Sequence, residues 1–176
     1  MSGIYGFHQL TDYSYNYAYN KVKPLQTQNP KNLLAAENTV YGVLQRSKHS
    51  KIFSFLLRNS GMDKYLSACP GKYTIFIVPD DKLREQYGEE CFLRMDRLDS
   101  LKMVRNHIIE NIITLNDIRT EEVSLLTNIN NNHSLFVQQF PKNNIMTVND
   151  AVIINEIPCV NGNIIFIDSM LLSYEM

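Results

Sequence analysis

Between residues 109 and 123 the hydrophobic period of this chain changes from that of a helix to that of a strand. Before the change, Leu33, Leu34 and Ala36, then Val40, Val43 and Leu44, recur as they would on one or two core-facing helices. Ile52, Phe53, Leu56 and Leu57 form an apolar side over residues 50–59, with Ser50 placed as an N-cap and Gly61 as a left-handed stop. A helical turn over 63–68 leads to Pro70-Gly71, a type II turn pair. Leu98, Leu101, Val104 and Ile108 predict a further helix over 97–109. One β-rich run, 73–78, interrupts this half, and Pro79-Asp80-Asp81 then turns the chain and offers an acidic cap to a short helix through Gln86.

After the change, residues 123–127, 134–140, 145–148, 152–156 and 163–168 read as strands. Asn-rich or Pro-Lys-Asn-Asn stretches and Asn161-Gly162 separate them, and Gly162 suits a turn that needs positive φ. Helices first and strands later imply an α+β domain, its N-terminal helices packed on a largely antiparallel sandwich or wedge.

A different segment precedes this domain. Five of the ten tyrosines fall within residues 1–19, and Tyr13, Tyr15, Tyr17 and Tyr19 alternate strictly. Alternation at period two sets four rings on one face of an extended strand. Before Pro30 the only charges are Asp12, Lys21 and Lys23, fewer than in an ordinary disordered tail. Residues 1–31 read as an extended Tyr/Asn-rich arm, with Tyr5 and the four alternating tyrosines as its contact residues, the alternative being a mobile tail, and residues 32–176 as the globular domain.

Charge and motif content narrow the function classes. The 17 basic and 18 acidic residues nearly cancel, and the densest basic run, Arg46 to Lys51, reads as a solvated connection rather than a phosphate site. No Gly-rich phosphate loop, Gly-x-Ser-x-Gly elbow or His-Glu-x-x-His helix is present. The four histidines, His8, His49, His107 and His133, share no metal-ligand spacing. Cys69, Cys91 and Cys159 lie far apart, a set that fits a reducing compartment with each thiol a small buried hydrophobe. The first residues carry no basic start and no continuous apolar run, so no secretory signal and no membrane-crossing segment are expected.

Two blocks resemble the motifs of fasciclin domains. Thr74 to Leu83, with Phe76, Pro79, Asp80 and Asp81, is similar to the family's first motif of strand, turn and short helix. Asn161 to Leu172, with Gly162, Ile167, Asp168 and Leu171, is similar to its closing motif. Between them Asn106-His107-Ile108-Ile109 resembles the helix end that the family closes with a histidine, and Leu115-Asn116-Asp117-Ile118 the short segment that follows. Order and spacing agree over residues 38–172. Asn111, Ile165 and Ser173 depart from the family's frequent glycine, histidine and proline, which marks a distant relative.

The resemblance implies an adhesion or matrix-interaction module without cofactors. The motif residues are then structural, His107 and Asp168 included, and no catalytic, cofactor-binding or metal-binding residue is assigned. The expected function is a non-enzymatic structural module for protein–protein assembly, with self-association included and neither nucleic acid nor membrane insertion as partners. An intracellular or virion location follows from the expected lack of a signal. Together with 19 Asn and 17 Ile, a bias of AT-rich genomes, this extends the reading to a minor capsid or cement component of a large DNA virus. The rival readings are a module that binds a lipid, glycan or other ligand, and a cell-surface adhesion protein.

Overall fold

Helix formation begins where apolar spacing and caps agree. The computed structural model describes residues 37–67, 71–120, 125–129 and 134–171. The arm, with Tyr5, Tyr13, Tyr15, Tyr17 and Tyr19, lies outside the described residues, as do Cys69, Pro70, His133 and the boundary at residue 31. Helix α1 (Val40–Arg46) starts at Thr39, whose hydroxyl accepts the Gly42 N–H. Helix α2 (Lys51–Ser60) buries Ile52, Phe53, Leu56 and Leu57 and stops at Gly61, where φ is 81°. A short α3 (Met62–Leu66) follows, then strand β1 (Tyr73–Ile77). Helices α4 (Asp80–Tyr87), α5 (Glu90–Leu93) and α6 (Arg97–Asn106) complete the first half.

The helix expected over 97–109 is shorter than its apolar spacing suggests. It ends at Asn106, and Ile108–Ile109 form strand β2, whose two residues pair with Ile75 and Thr74. Ile108 thus serves a sheet rather than a helix face, and Leu98, placed on the inner side by spacing, is 68% exposed. The four apolar positions that looked like one helical stripe divide between two elements, three on α6 and Ile108 on β2, where pairing with β1 takes the place of a further helical turn. Cys91 likewise departs from expectation. It is exposed, because the single turn of α5 points Phe92 into the core instead, while Cys159 is half-buried.

Helix α7 (Leu115–Arg119) opens with a reciprocal capping box between Thr114 and Asp117. The remaining strands are β3 (Leu125–Thr127), β4 (Ser134–Phe140), β5 (Ile145–Val148), β6 (Ala151–Cys159) and β7 (Gly162–Ile167). Strand β6 runs past the expected 152–156 because its far half pairs with β7 down to Cys159 opposite Gly162.

The seven strands lie in the order β2-β1-β7-β6-β5-β4-β3, with β1 and β7 parallel and every other pair antiparallel. All six residues of β7 are buried, so both of its faces are covered. Helix α1 packs against β7 on one side. The ribbon β3–β5 continues the sheet beyond β6 and turns Leu135, Val137, Met146 and Val148 into the core. The sheet almost closes: Ile129 N–H donates to Ile108 O across the gap between β3 and β2, and Asn128 Nδ2 donates to Asn106 O beside it.

Candidate functional site

The motif residues are drawn into four joints that hold helices to strands. At the first, Asn161 closes the β6–β7 turn. Its Oδ1 accepts the Val40 N–H at the start of α1, and its Nδ2 donates to Leu66 O at the end of α3. Its backbone oxygen accepts the Tyr73 N–H, which brings β1 alongside. Gly162 follows because the two backbones meet here: a Cβ would stand 1.9 Å from Tyr73 O. Its φ is not among the positive ones, so close approach, not the expected turn conformation, requires glycine.

At the second joint Asp80, in the first turn of α4, reaches away from its own helix. Its two carboxylate oxygens accept the N–H groups of Lys51 and Ile52, both at 2.9 Å, and so cap α2. Ser50 occupies the N-cap position yet makes no side-chain cap; Asp80 replaces it from across the fold. Burial pushes the Asp80 carboxyl above the usual carboxylate range, against the pull of those two donors. Pro79 is the N-cap residue of α4, and Asp81 Oδ1 accepts the Lys82 N–H within that helix's first turn.

His107 makes the third. Its Nε2 accepts the Leu171 N–H at 3.1 Å, so Nδ1 carries the hydrogen and donates to Phe76 O at 2.8 Å. The His107 oxygen accepts the Phe76 N–H, and the ring stands edge-on to Phe53 at 5.1 Å. Fully buried, the imidazole is held neutral, its pKa depressed to about 4 by desolvation. The fourth joint is polar. Thr74 Oγ1 accepts the Ile113 N–H and donates to Asn111 O, and Asn163 Nδ2 donates to Ile113 O and Glu156 Oε2. At the end of β7, Asp168 Oδ1 accepts the Val152 N–H while its oxygen accepts from Gln86. Asn106, Phe76, Ile167 and Leu171 are buried around these joints.

These side chains therefore spend their polar atoms inside the fold. Among the described residues no group of three His, Cys, Asp or Glu is placed to hold a metal ion, and no helix is long and apolar enough to cross a membrane. The seam between β2 and β3 leaves a cleft of about 280 Å³, lined by residues that include Glu110, Asn128 and Leu126. Glu110, the only titratable lining group among the described residues, already accepts a hydrogen bond from the Tyr65 hydroxyl.

The surface itself offers a different feature. On β4 the inward residues Leu135 and Val137 alternate with outward Ser134, Phe136, Gln138 and Phe140. Phe136 is 57% and Phe140 46% exposed, where a solvated strand face normally carries polar groups. The reading of the sequence missed these two residues. The signal was present: phenylalanine in phase with serine and glutamine, out of phase with leucine and valine.

Comparison with known proteins agrees with this geometry. Residues 48–173 match the family model described as Fasciclin domain. Among solved structures the chain is similar to a fasciclin domain pair from the insect cell adhesion molecule Fasciclin I, with a TM-score of 0.60 and 17% identity. The match covers 77% of this chain and 51% of that one, so the chain spans about half the length of the solved relative. No curated protein matches by sequence.

Proposed function

The chain belongs to the fasciclin domain family, and from that premise we propose that it is a non-enzymatic protein-interaction module whose contact surface is the outer face of the β3–β5 ribbon. One observation carries the reading: Phe136 and Phe140 stand exposed on an uncharged strand while the family's polar motif residues are engaged within the fold. Exposed aromatic rings have few side-chain torsions to lose on binding and bury large apolar area, which makes them natural anchors of a protein interface. The cell-adhesion role named for the insect relative is of the same kind. A ligand-binding reading would rest on the seam cleft, where Glu110, the one titratable group among the described residues, is already engaged.

A finer form of the proposal places the partner in an assembly built inside a cell, such as a particle of a large DNA virus in which this chain is a minor capsid or cement component. The Asn and Ile bias and the low-charge aromatic segment before Pro30 support it.

The test uses tagged full-length chain in its cell of origin, with native size read by gel filtration of the extract. The wild type is expected in a complex larger than the 20.4 kDa chain. Phe136→Ser/Phe140→Ser is expected to fall to the free size, while Tyr87→Ser, on the helical side, stays in the complex. A double variant that remains in the same complex removes the ribbon face as the contact surface.

A further inference from the structure

We infer that the occupant of the β4 face is the tyrosine-alternating segment Tyr13–Tyr19 of a second copy of this chain, added head to tail. The inference rests on the proposal that this face is the contact surface, and it names the partner.

Three matches argue for that occupant. The first is chemical: residues 13–20 carry no charge, and neither do β4 or β5, so neither side must desolvate an ion to meet the other. The second is metric. Phe136 and Phe140 are four residues apart on one face of a strand, about 13 Å. Tyr15 and Tyr19 are also four apart in sequence, so an extended pairing with β4 would set them on one side at the same spacing of about 13 Å, with Tyr17 between them. Tyrosine rings at this period can set themselves beside both phenylalanines at the roughly 4.5–7 Å centroid distances that aromatic pairs favour. Gln138, between the two phenylalanines, offers an amide to a tyrosine hydroxyl.

The third match is positional. Thirty-six residues precede Glu37, and Asn38 O next to it accepts the Val160 N–H, just past the Cys159 end of β6. The β4 face lies in the ribbon, which joins β6 at Ala151 and Val152, the other end of that strand. The described chain therefore begins near one end of β6 and the acceptor ribbon is joined at the other. The 18 residues from Tyr19 to Glu37 span at most about 60 Å extended, enough to reach an adjacent copy. A surface at one end that binds a segment from the other is a heterologous contact, and such contacts propagate into chains unless a rotation closes them.

The experiment is sedimentation velocity on purified full-length chain across a wide concentration range. The wild type is expected to form a growing series of species rather than one dimer. Phe136→Ser/Phe140→Ser and Tyr13→Ser/Tyr15→Ser/Tyr17→Ser/Tyr19→Ser are each expected to weaken self-association by about tenfold or more. Mixed, they should complement: the first still donates its segment and the second still offers its face, so a 1:1 heterodimer forms and grows no further. Circular dichroism and melting of each variant check that the fold is kept. A wild type that stays monomeric throughout overturns the inference, as does a tyrosine variant that associates like the wild type. A mixture that forms no heterodimer overturns it too, and points to docking on the segment's own domain. The contact surface itself stands or falls separately, by whether the phenylalanine variant leaves its complex in the cell extract.

Discussion

His107 shows how one side chain can fix two distant segments and make the fold sensitive to acid. Both ring nitrogens are committed, Nδ1–H to Phe76 O on β1 and Nε2 to the Leu171 N–H near the end of the described chain. Only the neutral ring can do this, since the imidazolium has no acceptor for Leu171. Burial holds the folded pKa at about 4, below the ordinary 6.5 of an unfolded chain, so the unfolded state binds the proton first as pH falls. The stability tied to neutral His107 is therefore whole above pH 6.5, declines between 6.5 and 4, and is fully lost below; the difference amounts to about 3 kcal/mol. His107→Leu removes the titration along with the two hydrogen bonds. It should be less stable than wild type at pH 7, and urea denaturation should show the gap narrowing by about 3 kcal/mol at pH 4. A gap that is the same at both values would mean that His107 is not buried neutral. Gly162 is constrained at this scale by a different force: no side chain fits 1.9 Å from a carbonyl oxygen.

Between elements, the caps are supplied by long-range partners more than by neighbours. Helix α2 has a serine at its N-cap, yet its first N–H groups are satisfied by Asp80, from a turn about thirty residues later. Asp80→Ala would leave two N–H donors without their carboxylate and is expected to cost about 2–3 kcal/mol by thermal or urea unfolding. Asp80→Asn keeps one carbonyl acceptor and should cost about half as much. Neither variant carries the charge that burial opposes, so both deficits should be smaller at neutral pH than in acid. Equal losses for the two substitutions would show that packing, not capping, is what Asp80 provides. The same contrast separates what the sequence reveals from what it hides. Strands β4 and β5, the stop at Gly61 and the helical face of α2 follow from period and turn chemistry, which are local. Strand β2, the exposure of Leu98 and the partner of Asp80 depend on which segments meet in space, and apolar spacing does not encode that. The motif blocks marked the residues at the joints through resemblance, while the phenylalanines of β4 were hidden by being read as generic strand residues.

At the scale of the whole molecule, the sheet is joined unevenly, and this sets where it should open first. Strand β7 sits between β1 and β6, paired along its length on both sides and buried throughout. The ribbon β3–β5 is joined to the rest far more lightly. Its pairing with β6 is limited to Thr147 with Val152 and Val148 with Ala151, and its other edge meets β2 through the Ile129 to Ile108 bond beside an open cleft. Opening the ribbon would break few hydrogen bonds but expose Leu135, Val137 and Met146, so it costs less than unfolding the domain without being free. Native-state hydrogen exchange read by NMR should therefore show two classes of amide. Those of Ile75–Ile77 and Ile164–Phe166 should exchange only through global unfolding, with a steep dependence on denaturant. Those of Val137, Met146 and Val148 should exchange through a smaller opening at least about 2 kcal/mol less costly, with a shallower dependence. If both classes share one free energy and one slope, the ribbon and the central sheet form a single cooperative unit. The prediction bears on function because the contact face lies on the weaker part. A partner seated across Phe136 and Phe140 would bind only the closed ribbon, and by mass action it would slow exchange there far more than in β7. The amides of β4 and β5 would then report occupancy directly, whether the partner is a second copy or another protein.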